Sequence, residues 1–330
     1  MQTTRALRYH QEGTPGEVLT LETMELPAPE SGQVLVKTLA APVNPSDLGQ
    51  VAGVYAILKP RPAVAGNEGL GEVIETGDGV EEFQPGDWVR VPAESGTWRE
   101  HLVADAADLM PVPNDLPLEQ AAMAFVNPPT AWRMLRDFVD LERGDWILQN
   151  AATSAVGRYV IQLARLSGWK TFNVVRSERG AAAVRDAGGD AVVMEGTDLK
   201  KAVAEHAADR RPRLALNSVG GESAIALTRA LAFGGTLVTF GGMTGDPVRF
   251  PTRQLIFNDL RLRGFWVTRW LQEAPGRELR AMHDYLFDLI RMGKLFAPVA
   301  AAYSLDDYKK ALAHANEPGR GGKVLFMPNS

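Results

Sequence analysis

The chain has 330 residues, of which 45% are hydrophobic and 23% charged, a composition typical of a globular protein with about two domains. The formal net charge of -5 provides no basic excess for binding nucleic acid or an anionic membrane, so a small-molecule ligand is favoured. The absence of cysteine excludes disulfides, thiolate zinc sites, iron–sulfur clusters and cysteine nucleophiles.

The amino-terminal segment shows no signal of the secretory type. The stretch MQTTRALRYHQEG lacks an apolar core of signal-peptide length. Nowhere does the chain reach the roughly 18 consecutive apolar residues that a membrane span requires. We therefore expect a cytoplasmic protein that does not enter a membrane.

Short strands separated by Gly and Pro dominate residues 1 to about 120. They are predicted in GQVLVKTLAAPV, GLGEVIETG, GDWVRVPA and WREHLVADAADLMPVP. This all-β pattern is typical of a partly open barrel. We assign the barrel domain to residues 1–122. We expect the carboxyl-terminal segment, about 290–330, to return to it with a helix in DDYKKALAHAN and a strand in GKVLFMP.

Strands alternate with helices in residues 123–289. Strands are predicted in DWILQNA, KTFNVV, AVVM, LALNSV, GTLVTFG and LRLRGFWV. Helices are predicted at about 156–167, at about 179–187 and through ESAIALTRALA. A further helix, RELRAMHDYLFDLIRMG, begins the last segment of the chain, which we expect to return to the barrel domain. Strands separated by helices of this length imply a parallel sheet covered on both faces. The predicted fold class is α/β, with a doubly wound Rossmann sheet beside the barrel.

The loop NAATSAVG, residues 150–157, follows the first strand of that sheet. A dinucleotide-binding fold holds pyrophosphate at this point, against a helix N-terminus. Ala151, Ser154 and Gly157 occupy the positions of a G-x-x-G-x-x-G variant, and Thr153 and Ser154 offer hydroxyl donors. The alternative is a plain strand-to-helix turn with Ser154 as the helix cap, and the incomplete motif does not decide between the two.

The end of the second strand distinguishes between NAD and NADPH. NAD-binding units place a carboxylate there, about 20 residues after the loop, to bind the ribose 2′-hydroxyl. Here KTFNVV is followed by Arg176, Ser177, Glu178 and Arg179. A guanidinium pairs with a 2′-phosphate in bidentate fashion, whereas a carboxylate repels it. We predict NADPH as the cofactor, with Glu178 pointing to solvent; the alternative for Arg176 is a solvated loop charge.

Two sets of motifs carry a family resemblance that covers nearly the whole chain. GNEGLGEVIETGDGVEEFQPGDWV, NPPTAWRML, SVGGESA and GGTLVTFGGM resemble the medium-chain dehydrogenase/reductase superfamily. Within it, GNEG, VNPPTAWRML, ILQNAATSAVG, NVVRSER, RLALNSVGGESA, LVTFGGM and LIFNDLRLRGFWVTRW resemble the 2-enoyl thioester reductases of mitochondrial fatty-acid synthesis. The resemblance implies a GroES-like barrel domain and NADPH-dependent reduction of trans-2-enoyl thioesters of CoA or acyl carrier protein.

The chain departs from the zinc-dependent branch of that superfamily. Where that branch has a cysteine and a Gly-His-Glu motif, this chain has Asn44 and Gly66-Asn67-Glu68. Its five histidines are scattered, without the close pair of a metal site. We therefore expect no metal. Alcohol oxidation then lacks its Lewis acid, whereas reduction of an activated carbon–carbon double bond needs none.

A proton donor is the main catalytic requirement of such a reduction. Hydride adds at C3 of the enoyl thioester, an enolate develops, and C2 must receive a proton. Tyrosine, with an ordinary pKa near 10, is protonated at neutral pH and can be this acid. The resemblance assigns the role to Tyr55, in GQVAGVYAILKPRP. Taken alone, a tyrosine in a Gly-rich loop is a surface or packing residue.

The resemblance also implies the remaining ligand contacts, for which turns, helix caps, packing or a solvated lysine are the structural alternatives. The implied cofactor-binding residues are Asn127, Thr130, Thr153, Ser154, Ala155, Val156, Gly157, Arg176, Ser177, Arg179, Phe240, Gly241, Gly242, Met243, Phe265, Trp266, Val267 and Lys323. The implied substrate pocket contains Asn44, Trp266 and Trp270. Pairing of the LRLRGFW strands across a two-fold axis is the family's habit and implies a homodimer.

Two other functions are compatible with these residues. A zinc-independent NADPH quinone oxidoreductase of the same superfamily shares the fold, although Tyr55 and RGFWVTRW favour the enoyl thioester reductase. A non-enzymatic NADPH-binding protein, of the lens-crystallin or regulatory kind, would keep the nucleotide loop and would not need Tyr55.

Overall fold

A computed structural model describes residues 2–207 and 210–330. In chain order the strands are β1 Gln2–Tyr9, β2 Thr20–Leu26, β3 Gln33–Pro42, β4 Ala63–Val64, β5 Leu70–Thr76, β6 Trp88–Arg90, β7 His101–Asp105, β8 Met110–Val112, β9 Trp146–Gln149, β10 Lys170–Val175, β11 Ala191–Met194, β12 Leu214–Asn217, β13 Thr236–Thr239, β14 Arg261–Gly264, β15 Val299–Tyr303 and β16 Lys323–Phe326. The α-helices are α1 Pro15–Val18, α2 Pro45–Val51, α3 Leu118–Ala122, α4 Asn127–Met134, α5 Ala155–Ser167, α6 Glu178–Asp186, α7 Leu199–Ala207, α8 Gly221–Ala230, α9 Thr252–Phe257, α10 Val267–Glu273, α11 Gly276–Arg291 and α12 Tyr308–Asn316.

The chain divides into two compact units. The first runs to Phe125 and takes in Phe287–Gly293 and Ala297–Ser330, and the second comprises Val126–Leu286 with Lys294–Phe296. In the described part of the chain, no helix is long and apolar enough to cross a membrane.

The first unit is built on two sheets. One has the order β2-β1-β4, and the other has the order β15-β16-β3-β5-β6-β8, with β7 also paired to β3. Antiparallel pairing of β16 with β3 joins the last strand of the chain to this unit, through Leu325 opposite Pro42 and Phe326 opposite Ala41. Trp98 and Phe326 meet edge to face in its core, with ring centroids 5.0 Å apart.

The second unit contains six parallel strands in the order β11-β10-β9-β12-β13-β14. This is the 3-2-1-4-5-6 order of a dinucleotide-binding sheet, and it confirms the predicted doubly wound parallel sheet. The strand order reverses between β9 and β12, so ligands are expected beyond the carboxyl ends of these two strands. Buried apolar side chains such as Leu148, Phe172 and Leu237 form a core for this sheet.

The prediction from sequence missed strands β1, β2, β4 and β15 and helices α1, α2, α3, α4, α7, α9 and α10, and it extended the last parallel strand too far. That strand ends at Gly264, and Val267 already begins α10. In α2, Asn44 and Asp47 form a capping box around Pro45, so a helix begins in a segment where none was predicted.

Candidate active site

The loop between β9 and α5 brings two backbone segments into close contact at Gly157. A Cβ at this position would lie 2.7 Å from the carbonyl oxygen of Ala152 and 2.8 Å from its carbonyl carbon, so only glycine fits without a shift. Gln149, the last residue of β9, donates from Nε2 to the Gly157 carbonyl at 3.0 Å. The first turn of α5 is thus packed against the end of β9, the arrangement that a phosphate-binding loop requires.

Ala151 and Ser154 replace the other glycines of the motif in different ways. Ala151 has a φ of +48°, a left-handed conformation that costs an L residue other than glycine about 1–2 kcal/mol. Ser154 caps α5, since its hydroxyl oxygen accepts from the Gly157 N–H at 3.1 Å. The cap uses only the oxygen, so the Ser154 hydroxyl hydrogen and the exposed Thr153 side chain still have donors to offer an anion.

Two buried asparagines join the carboxyl ends of β9 and β12. Nδ2 of Asn150 donates to Oδ1 of Asn217 at 2.7 Å and to Oγ of Ser223 at 3.0 Å. Oδ1 of Asn150 accepts from the Ser218 N–H at 2.9 Å. Oδ1 of Asn217 also accepts from the Gly220 N–H at 3.1 Å. This amide network shapes the loop at the point where the strand order reverses.

Sequence reasoning missed Asn150 and Asn217. Each asparagine stands at the carboxyl end of an apolar strand, in WILQN and in LALN. A buried amide at such a point must satisfy both its donors and its acceptor, which is the signal that could have identified the pair.

The residues predicted to bind a 2′-phosphate lie at the exposed end of β10. Arg176, Ser177, Glu178 and Arg179 are all exposed. Within the described residues, neither the Arg176 nor the Arg179 guanidinium forms an ion pair. Ser177 caps α6 by accepting from the Gly180 N–H at 3.1 Å, and a Cβ at Gly180 would lie 3.2 Å from the Thr153 methyl carbon. The start of α6 therefore lies beside the glycine-poor loop.

The segment Phe240–Met243 follows β13 and lies against the end of β12. The Phe240 N–H donates to the Asn217 carbonyl at 3.0 Å, and the Met243 N–H donates to the Ser218 carbonyl at 2.9 Å. A Cβ at Gly241 would lie 3.2 Å from Cβ of Ser218, whereas Gly242 faces open space. The structure therefore brings this segment, Asn217 and the loop at 150–157 to one edge of the sheet.

Asn127 and Thr130 lie in the first turn of α4 and are both buried. The Thr130 hydroxyl donates to the Val126 carbonyl at 2.6 Å, so its proton is used inside the helix. After β14, the Phe265 N–H donates to the Thr239 carbonyl at 3.0 Å, Trp266 precedes α10, and Val267 is buried. Trp270 lies under the Arg133 guanidinium, 4.2 Å from the ring centroid.

These positions fit a phosphorylated dinucleotide in the second unit. The edge of the sheet offers a cradle that a Cβ at Gly157 would fill, the N-terminus of α5 and an exposed guanidinium at Arg176. They supply the separate contacts that pyrophosphate and a 2′-phosphate require.

Tyr55 belongs to the first unit and lies in the loop that follows α2. The Val54 N–H donates to the Gly49 carbonyl at 2.9 Å, which folds this loop back on the helix. A Cβ at Gly49 would lie 3.9 Å from Cβ of Tyr55 and 4.0 Å from its Cδ2, so the ring rests against the glycine. Tyr55 is only partly buried.

A buried charged network occupies the start of α2. Asn44 donates from Nδ2 to Oε2 of Glu68 at 2.7 Å, and its Oδ1 accepts from Nζ of Lys323. Oδ2 of Asp47 accepts from the Asn44 N–H at 2.7 Å, and its Oδ1 accepts from Nδ2 of Asn67 at 2.8 Å. Asn44, Asp47, Glu68 and Lys323 are each at most 5% exposed.

Burial shifts the ionisation of this network. It raises the pKa of Asp47 to about 6, against the backbone hydrogen bond from Asn44 and the charge of Lys323. It lowers the pKa of Lys323 to about 8, against the charges of Glu68 and Asp47. Lys323, for which a cofactor phosphate was the implied partner, thus has its ammonium group inside the first unit.

The described residues contain no group of three or more His, Cys, Asp or Glu side chains that could hold a metal ion. Asn44 and Asn67, at the positions where zinc-dependent relatives place ligands, bind the carboxylates of Glu68 and Asp47 instead.

Comparisons with known proteins match nearly the whole chain. A family model described as zinc-binding dehydrogenase matches residues 155–284, and one described as alcohol dehydrogenase GroES-like domain matches residues 30–114. The mitochondrial enoyl-[acyl-carrier-protein] reductase of Rattus norvegicus is 44% identical over 322 residues, covering 95% of this chain and 86% of the rat protein.

Two solved structures are similar over 99% of this chain and 100% of their own. The complex of Etr1p with NADP and crotonyl-CoA has a TM-score of 0.92 at 33% identity. The mitochondrial 2-enoyl thioester reductase Etr1p/Etr2p heterodimer of Candida tropicalis has a TM-score of 0.91 at 31% identity. These matches confirm the predicted fold class, a GroES-like domain with a Rossmann domain, and the predicted family.

The prediction of a cytoplasmic protein is wrong. The relatives are named as mitochondrial enzymes, which overturns it. A missing apolar core bears only on secretory signals, which need one. Mitochondrial targeting segments are amphipathic and rich in arginine, so the lack of an apolar run carries no information about them.

Proposed function

Because the chain belongs to the enoyl-[acyl-carrier-protein] reductase family, we propose that it reduces the C2–C3 double bond of trans-2-enoyl thioesters with NADPH. The observation that carries the proposal is the 44% identity to the rat reductase over 95% of this chain. The complex of Etr1p with NADP and crotonyl-CoA supports the choice of cofactor and of an enoyl-CoA substrate.

The second unit binds the dinucleotide in this proposal. When bound, NADPH supplies the hydride that adds to C3 of the substrate. The N-terminus of α5 and the hydroxyls of Thr153 and Ser154 hold the pyrophosphate, with Ala155, Val156 and Gly157 forming the first turn. Arg176, together with Ser177 and Arg179, binds the 2′-phosphate.

The nicotinamide end is bound by the segments that follow β13 and β14. Gly241, Gly242 and Met243 offer backbone groups after Phe240, and Asn127 and Thr130 lie at the buried start of α4. Phe265, Trp266 and Val267 form an apolar wall, and Trp266 and Trp270 contact the acyl chain.

Tyr55 acts as the acid that protonates C2. Transfer of hydride to C3 leaves electron density on C2 and on the thioester oxygen, and the phenol supplies the proton that completes the reduction. Asn44 and Lys323 belong to the buried network at the start of α2, and in this proposal they help to fix the helix from which the Tyr55 loop starts. The chemistry is that of an acid catalyst and needs no Lewis acid. Prolonged dialysis against a chelator is therefore expected to leave kcat unchanged.

The proposed assembly is a homodimer formed through β14. All four residues of this strand are exposed, and it is the edge strand of the parallel sheet in the second unit. Exposed edges of this kind pair readily with another strand. The Arg261 and Phe265 N–H groups donate to Gly235 and Thr239, so by strand alternation Leu262 directs its N–H outward. Leu262→Pro removes that donor and should shift the sedimentation coefficient from dimer to monomer.

The deciding experiment measures NADPH oxidation with a panel of acceptors: crotonyl-CoA, longer trans-2-enoyl-CoAs, an enoyl thioester of acyl carrier protein, and quinones. The proposal expects turnover of enoyl thioesters and little with quinones. Quinone reduction without enoyl turnover would establish the oxidoreductase alternative, and NADPH binding without any turnover would establish a non-enzymatic role. The CoA and carrier-protein arms distinguish the two forms of the substrate.

A further inference from the structure

The loop that carries Tyr55 leaves three of its apolar side chains exposed to a considerable extent. Val54 is 81% exposed, Ile57 is 47% exposed and Leu58 is 41% exposed. Burial of apolar side chains stabilises a segment in proportion to the area removed from water, and these three side chains forgo a large part of that stabilisation. The position of Tyr55 therefore depends on polar contacts as well as on the packing of its ring against Gly49.

Polar contacts tie the loop at its beginning, middle and end. At the beginning, the Val54 N–H donates to the Gly49 carbonyl at 2.9 Å. In the middle, Nε2 of Gln50 donates to the Ile57 carbonyl at 3.1 Å. At the end, Nζ of Lys59 donates to the carbonyls of Gly66 and Val64, at 2.9 and 3.2 Å.

Through Lys59, the end of the Tyr55 loop is connected back to α2, the helix from which the loop starts. Gly66 is followed by Asn67, whose Nδ2 donates to Oδ1 of Asp47 at 2.8 Å. Asp47 belongs to α2, and the chain runs directly from α2 through Tyr55 to Lys59. The Lys59 contact thus joins the end of the Tyr55 loop to a segment that is itself fixed to α2, and the ion pair of Arg61 with Glu12, at 3.1 Å, is a second link just beyond the loop.

We propose that Lys59 is a positioning residue for Tyr55, because its ammonium group holds residues 52–59 in the geometry from which the phenol delivers its proton. This inference rests on the proposed role of Tyr55 as the acid.

The electrostatic surroundings suit this role. Burial lowers the pKa of Lys59 to about 8, while Asp47 of α2 and Glu94 favour its charged form and Arg99 opposes it. An uncharged side chain of similar length would fill the same space but would leave two carbonyl oxygens without this donor. A guanidinium could donate to both.

The test compares Lys59→Met and Lys59→Arg, each with and without Tyr55→Phe. Lys59→Met is expected to lower kcat for crotonyl-CoA by about 10- to 100-fold, because small displacements of a catalytic group are costly. KM for NADPH should stay within about twofold, and Lys59→Arg should restore most of the lost kcat. In the Tyr55→Phe background, Lys59→Met should have almost no further effect, since coupled residues are not additive. Lys200→Met, which removes an exposed charge in the second unit, is the matched control.

Two results would overturn the proposal. One is an unchanged kcat in Lys59→Met, and the other is an equal loss in both backgrounds, which would place Lys59 outside the action of Tyr55. Thermal unfolding of each variant identifies any loss that comes from unfolded protein, and Lys59→Arg then serves as the folded comparison. The role of Tyr55 itself fails only if Tyr55→Phe alone leaves kcat unchanged, so the two failures are distinguishable.

Discussion

Nδ2 of Asn150 lies 2.7 Å from Oδ1 of Asn217, and this hydrogen bond joins the carboxyl ends of β9 and β12 where the order of the parallel strands reverses. Both side chains are at most 3% exposed. The pair therefore determines the shape of the edge at which we place the dinucleotide.

Asn217→Ala is expected to lower the free energy of unfolding by about 1–3 kcal/mol, because it leaves buried donors of Asn150 and Gly220 without their acceptor. NADPH binding should weaken as the loops lose their shape. Denaturant unfolding and titration with NADPH measure the two effects. Asn316→Ala, on the exposed side of α12, is the control, and equal losses in both variants would contradict the prediction.

Tyr55→Phe is expected to lower kcat for crotonyl-CoA by about 10²- to 10⁴-fold, the usual contribution of a positioned acid. The Kd for NADPH should not change, because the substitution removes only the phenolic oxygen and alters none of the residues proposed to bind the dinucleotide. Steady-state kinetics and a fluorescence titration with NADPH provide the readouts. A variant with normal turnover would rule out Tyr55 as the proton donor.

Arg176→Ala is expected to raise KM for NADPH by about 10- to 100-fold, which corresponds to loss of a charge-assisted contact of about 1.5–3 kcal/mol. KM for NADH should change little, since NADH has no 2′-phosphate. Kinetics with both nucleotides test this difference, with the exposed Arg185→Ala of α6 as the control. Equal effects on both nucleotides would refute the 2′-phosphate assignment.

Gly157→Ala and Ala151→Gly are expected to differ in their effects on stability, although both lie in the same loop. A Cβ at Gly157 would meet the Ala152 backbone at 2.7 Å, so Gly157→Ala should lower the melting temperature. Ala151→Gly relieves a φ of +48° and should leave the melting temperature unchanged or raise it. Differential scanning calorimetry measures both. Destabilisation by Ala151→Gly greater than that by Gly157→Ala would show that the loop has another conformation.

The buried ammonium group of Lys323 predicts a pH dependence of stability. Folding lowers its pKa from an ordinary 10.5 to about 8, so the unfolded chain binds the proton more tightly than the folded chain. The stabilisation from neutral Lys323 is fully present above pH 10.5 and is lost as the pH falls through about 8. Compared with Lys323→Met, the wild-type protein should gain stability between these pH values. Denaturant unfolding at a series of pH values measures this. The same dependence of the unfolding free energy on pH in both proteins would contradict the prediction.

The fold class of the second unit and its candidate for the 2′-phosphate could both be predicted from residues that are close together in the sequence. The alternation of apolar strands and amphipathic helices predicted a doubly wound parallel sheet, because each period specifies which faces are buried. Arg176 was recognisable as a candidate for the 2′-phosphate because its distance from the loop at 150–157 is set by one helix and one strand. The lack of cysteine excluded a thiolate zinc site without any structure.

Local signals were weaker in the first unit. Strands β1 and β2 were not predicted. The capping box of α2 can be recognised only when Asn44 and Asp47 are considered together. Helix α2 is important because the Tyr55 loop starts from it. The sequence of that loop, with apolar residues that are exposed in the structure, does not distinguish it from an ordinary turn.

Tertiary structure alone decided which distant polar groups meet. Asn150 and Asn217 are 67 residues apart, and Asn44 and Lys323 are 279 residues apart. From the sequence, Lys59 is indistinguishable from a solvated loop charge. The structure shows that its ammonium group donates to the carbonyls of Val64 and Gly66. A buried polar group must find a partner, but the sequence does not record which one, since the partner is set by how strands from distant segments are ordered in the sheets.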